Sequence, residues 1–163
     1  MTTIVINSPK HGIFKILIDD EDFERVNQYR WCISKKSNNL FYAVRYKMIK
    51  KERSSQLLHR FIIGDECDGM LVDHINRNTL DNRKCNLRVC NQSENQSNRL
   101  KPKNNTSGYK GVSYCKKSKK YRSTINKKLI GYFTTIEEAM IAYDNAAIEI
   151  HKDFALLNGD LNG

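Results

Sequence analysis

The reading of this 163-residue chain turns on Val72-Asp73-His74-Ile75-Asn76, followed by Asp81-Asn82-Arg83, then Asn86-Leu87-Arg88-Val89-Cys90 and Asn91-Gln92-Ser93-Glu94-Asn95. Residues 70–72 read as a short apolar strand, 76–83 as a polar turn region and 87–90 as a second strand. Asn91-x-x-Glu94 has the spacing of a capping box, in which the first side chain and the acid three residues on satisfy each other's backbone donors, so a helix starts there. The unit is strand, loop, strand, helix. Asp73-His74 closes its first strand and Asn95 lies one turn into its helix. A carboxylate and an amide oxygen are hard donors suited to a divalent cation, and an imidazole beside them can take a proton from water. Each residue alone has a plainer reading, because a His after a strand is commonly a hydrogen-bonded turn residue and Asn-rich loops cap their own backbone. The ordered combination favours the chemical reading.

These residues, continued by Ser93-Glu94-Asn95-Gln96-Ser97-Asn98-Arg99, resemble the HNH (His-Me finger, ββα-metal) homing endonucleases of phages and group I introns. The resemblance implies that His74 is a general base, that Asn86 is the middle Asn bracing the loop, and that Asp73 and Asn95 bind one Mg²⁺ or Mn²⁺. Asn95 stands where many of the family carry a final His. Asn82, Asn86, Asn91 and Asn95 are close in sequence, and which of them meets the metal stays open at this level. The implied reaction is hydrolysis of a phosphodiester bond, giving a 5′-phosphate and a 3′-hydroxyl.

Composition points the same way. Lys and Arg number 28 against 18 Asp and Glu, a net charge of +10 that favours a polyanionic partner. The distribution is informative: 11 against 6 in residues 1–58, 5 against 6 in 59–98, and 12 against 6 in 99–163. A near-neutral central segment between basic flanks is the pattern of a catalytic unit held on nucleic acid by its neighbours. Five cysteines without a C-x-x-C pair predict reduced thiols in a cytoplasmic protein, and give no spacing for a structural zinc. No apolar run nears the roughly 18 residues of a membrane span, so a soluble chain without membrane contact is expected.

Ahead of the central unit, residues 4–6 and 14–18 read as strands about the Ser8-Pro9-Lys10-His11-Gly12 turn. Asp19-Asp20-Glu21-Asp22 is the acidic first turn of a short helix. Residues 31–33 and 40–46 form a further hairpin around Lys35-Lys36-Ser37-Asn38-Asn39. Residues 57–63 run to a helix stop at Gly64, and their His59-Arg60 resembles the Leu-His-Arg that often precedes the motif in this family. A structural role is the expectation for His59.

After Arg99, Leu100 to Gly108 has the Pro, Asn and Gly of a linker, and residues 99–128 hold eleven Lys or Arg with no acid. Residues 109–114, 121–125 and 129–133 read as three strands, and Thr135-x-x-Glu138 caps a helix with Ile136, Ala139, Met140, Tyr143, Ala146, Ala147 and Ile150 on one face. Ser107-Gly108-Tyr109-Lys110-Gly111-Val112, Lys120-Tyr121-Arg122, Ile130-Gly131-Tyr132-Phe133-Thr134 and Ala142-Tyr143-Asp144 resemble the Apetala/ethylene-response-factor DNA-binding domain over about fifty residues. That resemblance implies a three-stranded sheet laid in the major groove, with Tyr121-Arg122 departing from the family's Trp region.

The expected fold is therefore α+β: a β-rich leader (1–58), a ββα-metal unit (59–101), and a linker with a three-stranded antiparallel sheet on one helix (102–163). The expected function is a metal-dependent DNA endonuclease, homing-type and either site-specific or nicking. His74 and Asn86 are the expected catalytic residues and Asp73 and Asn95 the metal ligands. Arg88, Arg99, Lys110, Tyr114, Lys120, Arg122, Thr124 and Lys128 are the expected contacts to double-stranded DNA. A monomer without a small-molecule cofactor is expected. The rivals are a non-catalytic DNA-binding regulator that keeps the same scaffold, and an RNA-binding module using exposed aromatics.

Overall fold

The computed structural model describes residues 1–36, 40–49, 51–101 and 104–161. Part of the expected Lys35 to Asn39 turn (37–39) and part of the expected linker (102–103) lie outside the described residues. The fold is α+β, and the chain divides into two compact units, residues 1–92 and 93–163.

In the first unit, strands β1 (Thr2–Ser8) and β2 (Gly12–Ile18) pair as an antiparallel hairpin, Ile6 facing Phe14 and Ile4 facing Ile16. Apolar residues alternate along both strands, so Ile6, Ile16 and Ile18 are buried while Val5 and Ile13 face outward. Gly12 turns the chain with φ +89, a conformation that a Cβ disfavours. A single helical turn, acidic at residues 20–22, leads into α1 (Phe23–Asn27), as the acid-rich start predicted.

Strands β3 (Cys32–Lys35), β4 (Phe41–Ile49) and β5 (Glu52–Leu57) form a three-stranded sheet with β4 central. Helix α2 (Leu58–Ile63) follows and ends at Gly64, whose φ of +72 lets the chain leave the helix. Trp31 is buried with its indole N–H donating to the Val26 carbonyl at 2.9 Å. The Arg45 guanidinium lies 3.7 Å from the Tyr29 ring centre and 4.5 Å from that of Phe61, covering the aromatic edge of the core.

The unit is completed by β6 (Leu71–His74) and β7 (Leu87–Cys90), an antiparallel pair. Leu58 and Ile62 of α2 and Leu87 of β7 lie in the same buried cluster as Ile6, Ile16, Ile18, Val26, Trp31 and Ala43. Leader and central hairpin thus share one core. Each fully buried Ile of β2 contributes about 1.5–3 kcal/mol relative to exposure.

The second unit takes in most of α3 (Gln92–Ser97) and an antiparallel sheet of β8 (Val112–Cys115), β9 (Lys120–Ile125) and β10 (Lys128–Phe133), with β9 central. Asn126 and Lys127, both at positive φ, make the two-residue turn between β9 and β10 that matches the twist of a hairpin. Helix α4 (Ile136–His151) opens with a complete capping box, Thr135 Oγ1 accepting from the Glu138 N–H and Glu138 Oε2 accepting from the Thr135 N–H, each at 3.2 Å. Its Ala139, Tyr143 and Ala147 are buried, and Tyr143 and Ala147 cluster with Ile125.

Two details of the second unit differ from the sequence expectation. Strand β8 begins at Val112 and not at residue 109, because Gly108 and Gly111 at positive φ hold residues 108–111 in turns. Ile150 is 51% exposed although it shares the angular face of Ala139, because a 16-residue helix of about 24 Å outruns six-residue strands of about 20 Å. Among the described residues no helix is long and apolar enough to cross a membrane.

Candidate active site

The loop between β6 and β7 is irregular in backbone yet held at many points. Asn86 is its central brace: Oδ1 accepts from the Asn76 N–H at 2.9 Å and Nδ2 donates to the Asp81 carbonyl at 2.8 Å. The Asn86 carbonyl also accepts from the Ile75 N–H at 2.9 Å. Asn76 and Asn78 each fold their side chain onto the backbone two residues on, the Asx turn that short polar side chains favour. Asp81 is buried and receives two N–H donors of Arg83 at 2.7 Å and the Asn76 amide at 2.9 Å. Arg83 thereby holds the Asp81 carboxyl below its ordinary value.

The loop is also pinned to the leader. The Leu17 N–H donates to the Leu80 carbonyl at 2.9 Å, and the Asn82 N–H donates to the Leu17 carbonyl at 2.8 Å. Thr79 Oγ1 donates to the Phe41 carbonyl at 2.6 Å, and the Lys84 N–H donates to Asp19 Oδ2 at 2.7 Å. The acids at 19–22 therefore serve the loop as well as α1.

At the end of β6, His74 is 5% exposed and its Nε2 lies 3.5 Å from Asn82 Oδ1. In the tautomer whose Nε2–H faces that oxygen, the lone pair is on Nδ1. Burial pushes the His74 pKa down, with Asn82 and the Asp73 charge opposing, so the ring is neutral near pH 7 and competent as a base. Asn82 is 1% exposed, and among the described residues its Nδ2 has no hydrogen-bond partner.

Asp73 sits directly across the sheet from Arg88, whose Nε and Nη2 donate to its Oδ2 at 3.2 and 2.9 Å. Arg88, expected at the DNA, is thus a charge partner of Asp73. The first unit brings Asp73, His74, Asn82 and Asn86 onto one hairpin and its loop. Asn95 is half-buried on α3 in the other unit.

Among the described residues no group of three or more His, Cys, Asp or Glu could enclose a metal ion. Asp73 with an amide oxygen is a sparse hard-donor set, which fits Mg²⁺ or Mn²⁺, ions that keep several waters and take phosphate oxygens from a substrate. It does not suit zinc, which seeks a closed set of nitrogen and sulfur ligands.

In the second unit, the register separates the expected DNA contacts by face. Ser113 pairs with Arg122 and Arg122 with Tyr132, while Val112 pairs with Ser123. Val112, Ser123 and Ile125 are buried, so Arg122, Thr124, Lys120 and Tyr132 line the opposite face. Arg122, Lys120 and Tyr132 are exposed there, and Thr124 bonds the Gly111 carbonyl. Tyr114 pairs with Tyr121 and meets its ring edge to face at 5.2 Å, on the face of Val112 and not that of Arg122. Lys128 is exposed next to the β9–β10 turn, and Arg99 is exposed after α3.

Lys110 is more than an outward cation. Its ammonium donates to the Ser97 carbonyl at the last turn of α3, and its backbone is clasped by the buried Asn158 amide, which also bonds Asp144 of α4. Ser97 Oγ lies 3.0 Å from His151 Nδ1, tying α3 to α4 within the unit.

His59 is the residue whose place the sequence left undefined. It is buried in α2, its ring 5.0 Å from that of His74. Burial above all, with the nearby Arg60 charge, pushes its pKa down to about 3.

Residues 58–97 match the HNH endonuclease family. The chain is similar to an uncharacterized HNH endonuclease of Acanthamoeba polyphaga mimivirus, 30% identical over 142 residues, covering 82% of this chain and 68% of that protein. It is also similar to Protein 3.8 of Escherichia phage T7, 42% identical over 57 residues, which is 35% of this chain and 47% of the phage protein. The chain thus spans about half the length of Protein 3.8. No solved structure matches.

Proposed function

This chain belongs to the HNH endonuclease family, and on that premise we propose that it is a metal-dependent DNA endonuclease with His74 as its general base. The observation that carries the reading is His74 itself: a buried, neutral imidazole at the end of β6, beside Asp73, over a loop braced by Asn86.

In the proposed reaction His74 Nδ1 takes a proton from a water as the water oxygen bonds to the scissile phosphorus. The bond from phosphorus to the 3′-oxygen breaks in the same displacement, leaving a 5′-phosphate, and the 3′-oxygen takes a proton from solvent. Asn82 holds the Nε2–H and so keeps the lone pair on Nδ1. Asn86 keeps the loop, and with it Asn82, in place. Asp73 is the proposed anionic ligand of Mg²⁺ or Mn²⁺. When bound, such an ion supplies Lewis-acid stabilisation of the charge that builds on the phosphate and the leaving oxygen.

The second unit is proposed as the DNA-holding part, of the Apetala/ethylene-response-factor kind, through the exposed Arg122, Lys120 and Tyr132 face. Homing-type, site-specific or nicking action is the proposed mode.

The test is conversion of supercoiled plasmid with Mg²⁺ or Mn²⁺, comparing wild type with His74→Ala. Loss of the base should lower the rate about 10²–10⁴-fold and leave duplex affinity within a factor of two. Cleavage by His74→Ala at the wild-type rate would remove the base assignment. Wild-type cleavage that persists in excess chelator would remove the metal. Duplex binding with no cleavage under any divalent ion would turn the reading toward a DNA-binding regulator.

A further inference from the structure

His59 is a buried ring to which the proposed chemistry gives no task. Its ring meets that of His74 edge to face, centres 5.0 Å apart and planes at 85°. Tyr42 closes the group, 5.8 Å from His59 and 6.3 Å from His74. Three elements distant in sequence, β4, α2 and β6, therefore deliver one ring each to one place. The mount of His59 is firm, because its neighbours Leu58 and Ile62 on α2 are both set in the core of the unit.

We infer that His59 is a positioning residue for His74: its ring is the wall that holds the imidazole in the orientation with Nε2 toward Asn82. The inference rests on the reading of His74 as the base. Edge-to-face packing orients a ring through the quadrupole and through close contact, and neither needs a nitrogen of His59. A proton relay through His59 is the competing use, and it would need the protonated ring in a place where burial above all, and the Arg60 charge, disfavour it. What His59 supplies is shape. Without it His74 gains a cavity on one side and further rotamers, and displacement of a reacting group by about 1 Å costs on the order of 10²-fold in rate.

The experiment uses the full chain with His59→Phe, His59→Ala, His59→Gln and, in parallel, His74→Ala. Steady-state plasmid cleavage gives kcat and KM, and proton NMR follows the His74 ring resonances in metal-free protein. The expected result is a kcat lower by about 10–100-fold in His59→Ala and His59→Gln with KM within about twofold, and recovery to within about threefold of wild type in His59→Phe. The His74 resonances should stay near their wild-type positions in His59→Phe and move in the other two. Should His59→Ala not fold, the Phe and Gln pair carries the comparison of ring against non-ring. A His59→Phe protein as slow as His59→Gln would show that a nitrogen is needed, and would overturn the inference. So would wild-type kcat with unmoved His74 resonances in His59→Ala. Failure of the base assignment is separately visible, as undiminished cleavage by His74→Ala, and the resonances still report whether His59 holds the ring.

Discussion

Replacement of Asn86 by Ala tests the brace under the candidate site, and its cost can be worked from the contacts. Asn86 is 6% exposed, and its side chain satisfies the Asn76 N–H at 2.9 Å and the Asp81 carbonyl at 2.8 Å. Asn76 is exposed, so water can replace the lost acceptor and the penalty there is about 0.5–1 kcal/mol. Asp81 is buried, so its carbonyl loses its donor with little access to solvent, at about 1–3 kcal/mol. Asn86→Ala should therefore destabilise the first unit by about 1.5–4 kcal/mol. Trp31 is the one tryptophan of the chain and sits in that unit's core, so urea unfolding followed by its fluorescence reads this unit. With a slope of about 1–1.5 kcal/mol per molar, the midpoint should fall by about 2 M. Asn86→Asp keeps the acceptor but sets an oxygen against the Asp81 carbonyl, and should fare no better. A shift below about 0.5 M in both variants would refute the brace.

Gly111→Ala should destabilise the second unit by about 2–4 kcal/mol, because the position has φ +75 and a Cβ would lie 2.1 Å from the buried Tyr143 ring; thermal unfolding of the full chain with a retained midpoint would contradict this. Arg83 holds the Asp81 carboxyl below its ordinary value near 3.8, so this group's contribution to stability is complete above about pH 4 and is lost as pH falls through the lower folded value. Asp81→Asn should accordingly lower the urea midpoint at pH 7 and flatten the acid limb of the midpoint against pH, and an unchanged acid limb would count against the ion pair's role. Arg122→Ala should weaken a preferred duplex by about 1–3 kcal/mol if the side chain reads a base, whereas Lys119→Ala should weaken all duplexes alike, as competition binding at fixed salt would reveal.

Legibility in the sequence followed burial. The β1–β2 hairpin, the β6 and β7 strands and the capped α4 stand out because one face of each is apolar and the other polar. Strand β5, Glu-Arg-Ser-Ser-Gln-Leu, carries no such alternation, since much of its length is exposed. It exists because β4 pairs with it from Val44 to Ile49. At the site, Asp73 and His74 could be singled out by residue type and Asn86 through the family resemblance, but residue type alone could not tell the asparagines apart. Asn76, Asn78, Asn82 and Asn86 carry the same donor and acceptor atoms, and only the folded loop gives Asn86 the cross-loop bonds and Asn82 the imidazole. Arg88 reads as a DNA contact until the register puts Asp73 opposite it. His59 offered a signal in its place within an apolar helix, yet no spacing rule ties residue 59 to residue 74.

The attachment of the β6–β7 loop to the leader bears on the order in which the molecule is made. Thr79 and Phe41 are 38 residues apart, and Lys84 and Asp19 are 65 apart. Contacts of such separation form late, after the ends they join have been brought together. Synthesis from the N-terminus at about 5–20 residues per second gives the β1–β2 hairpin several seconds in which to form before residue 84 emerges. The loop then condenses on a strand already in place, with Leu17 supplying both a donor and an acceptor to it. A chain interrupted before residue 80 has the template but no loop, and one damaged in β2 has the loop but no template. In neither case is His74 held against Asn82, so the proposed base is in place only when the first unit is whole.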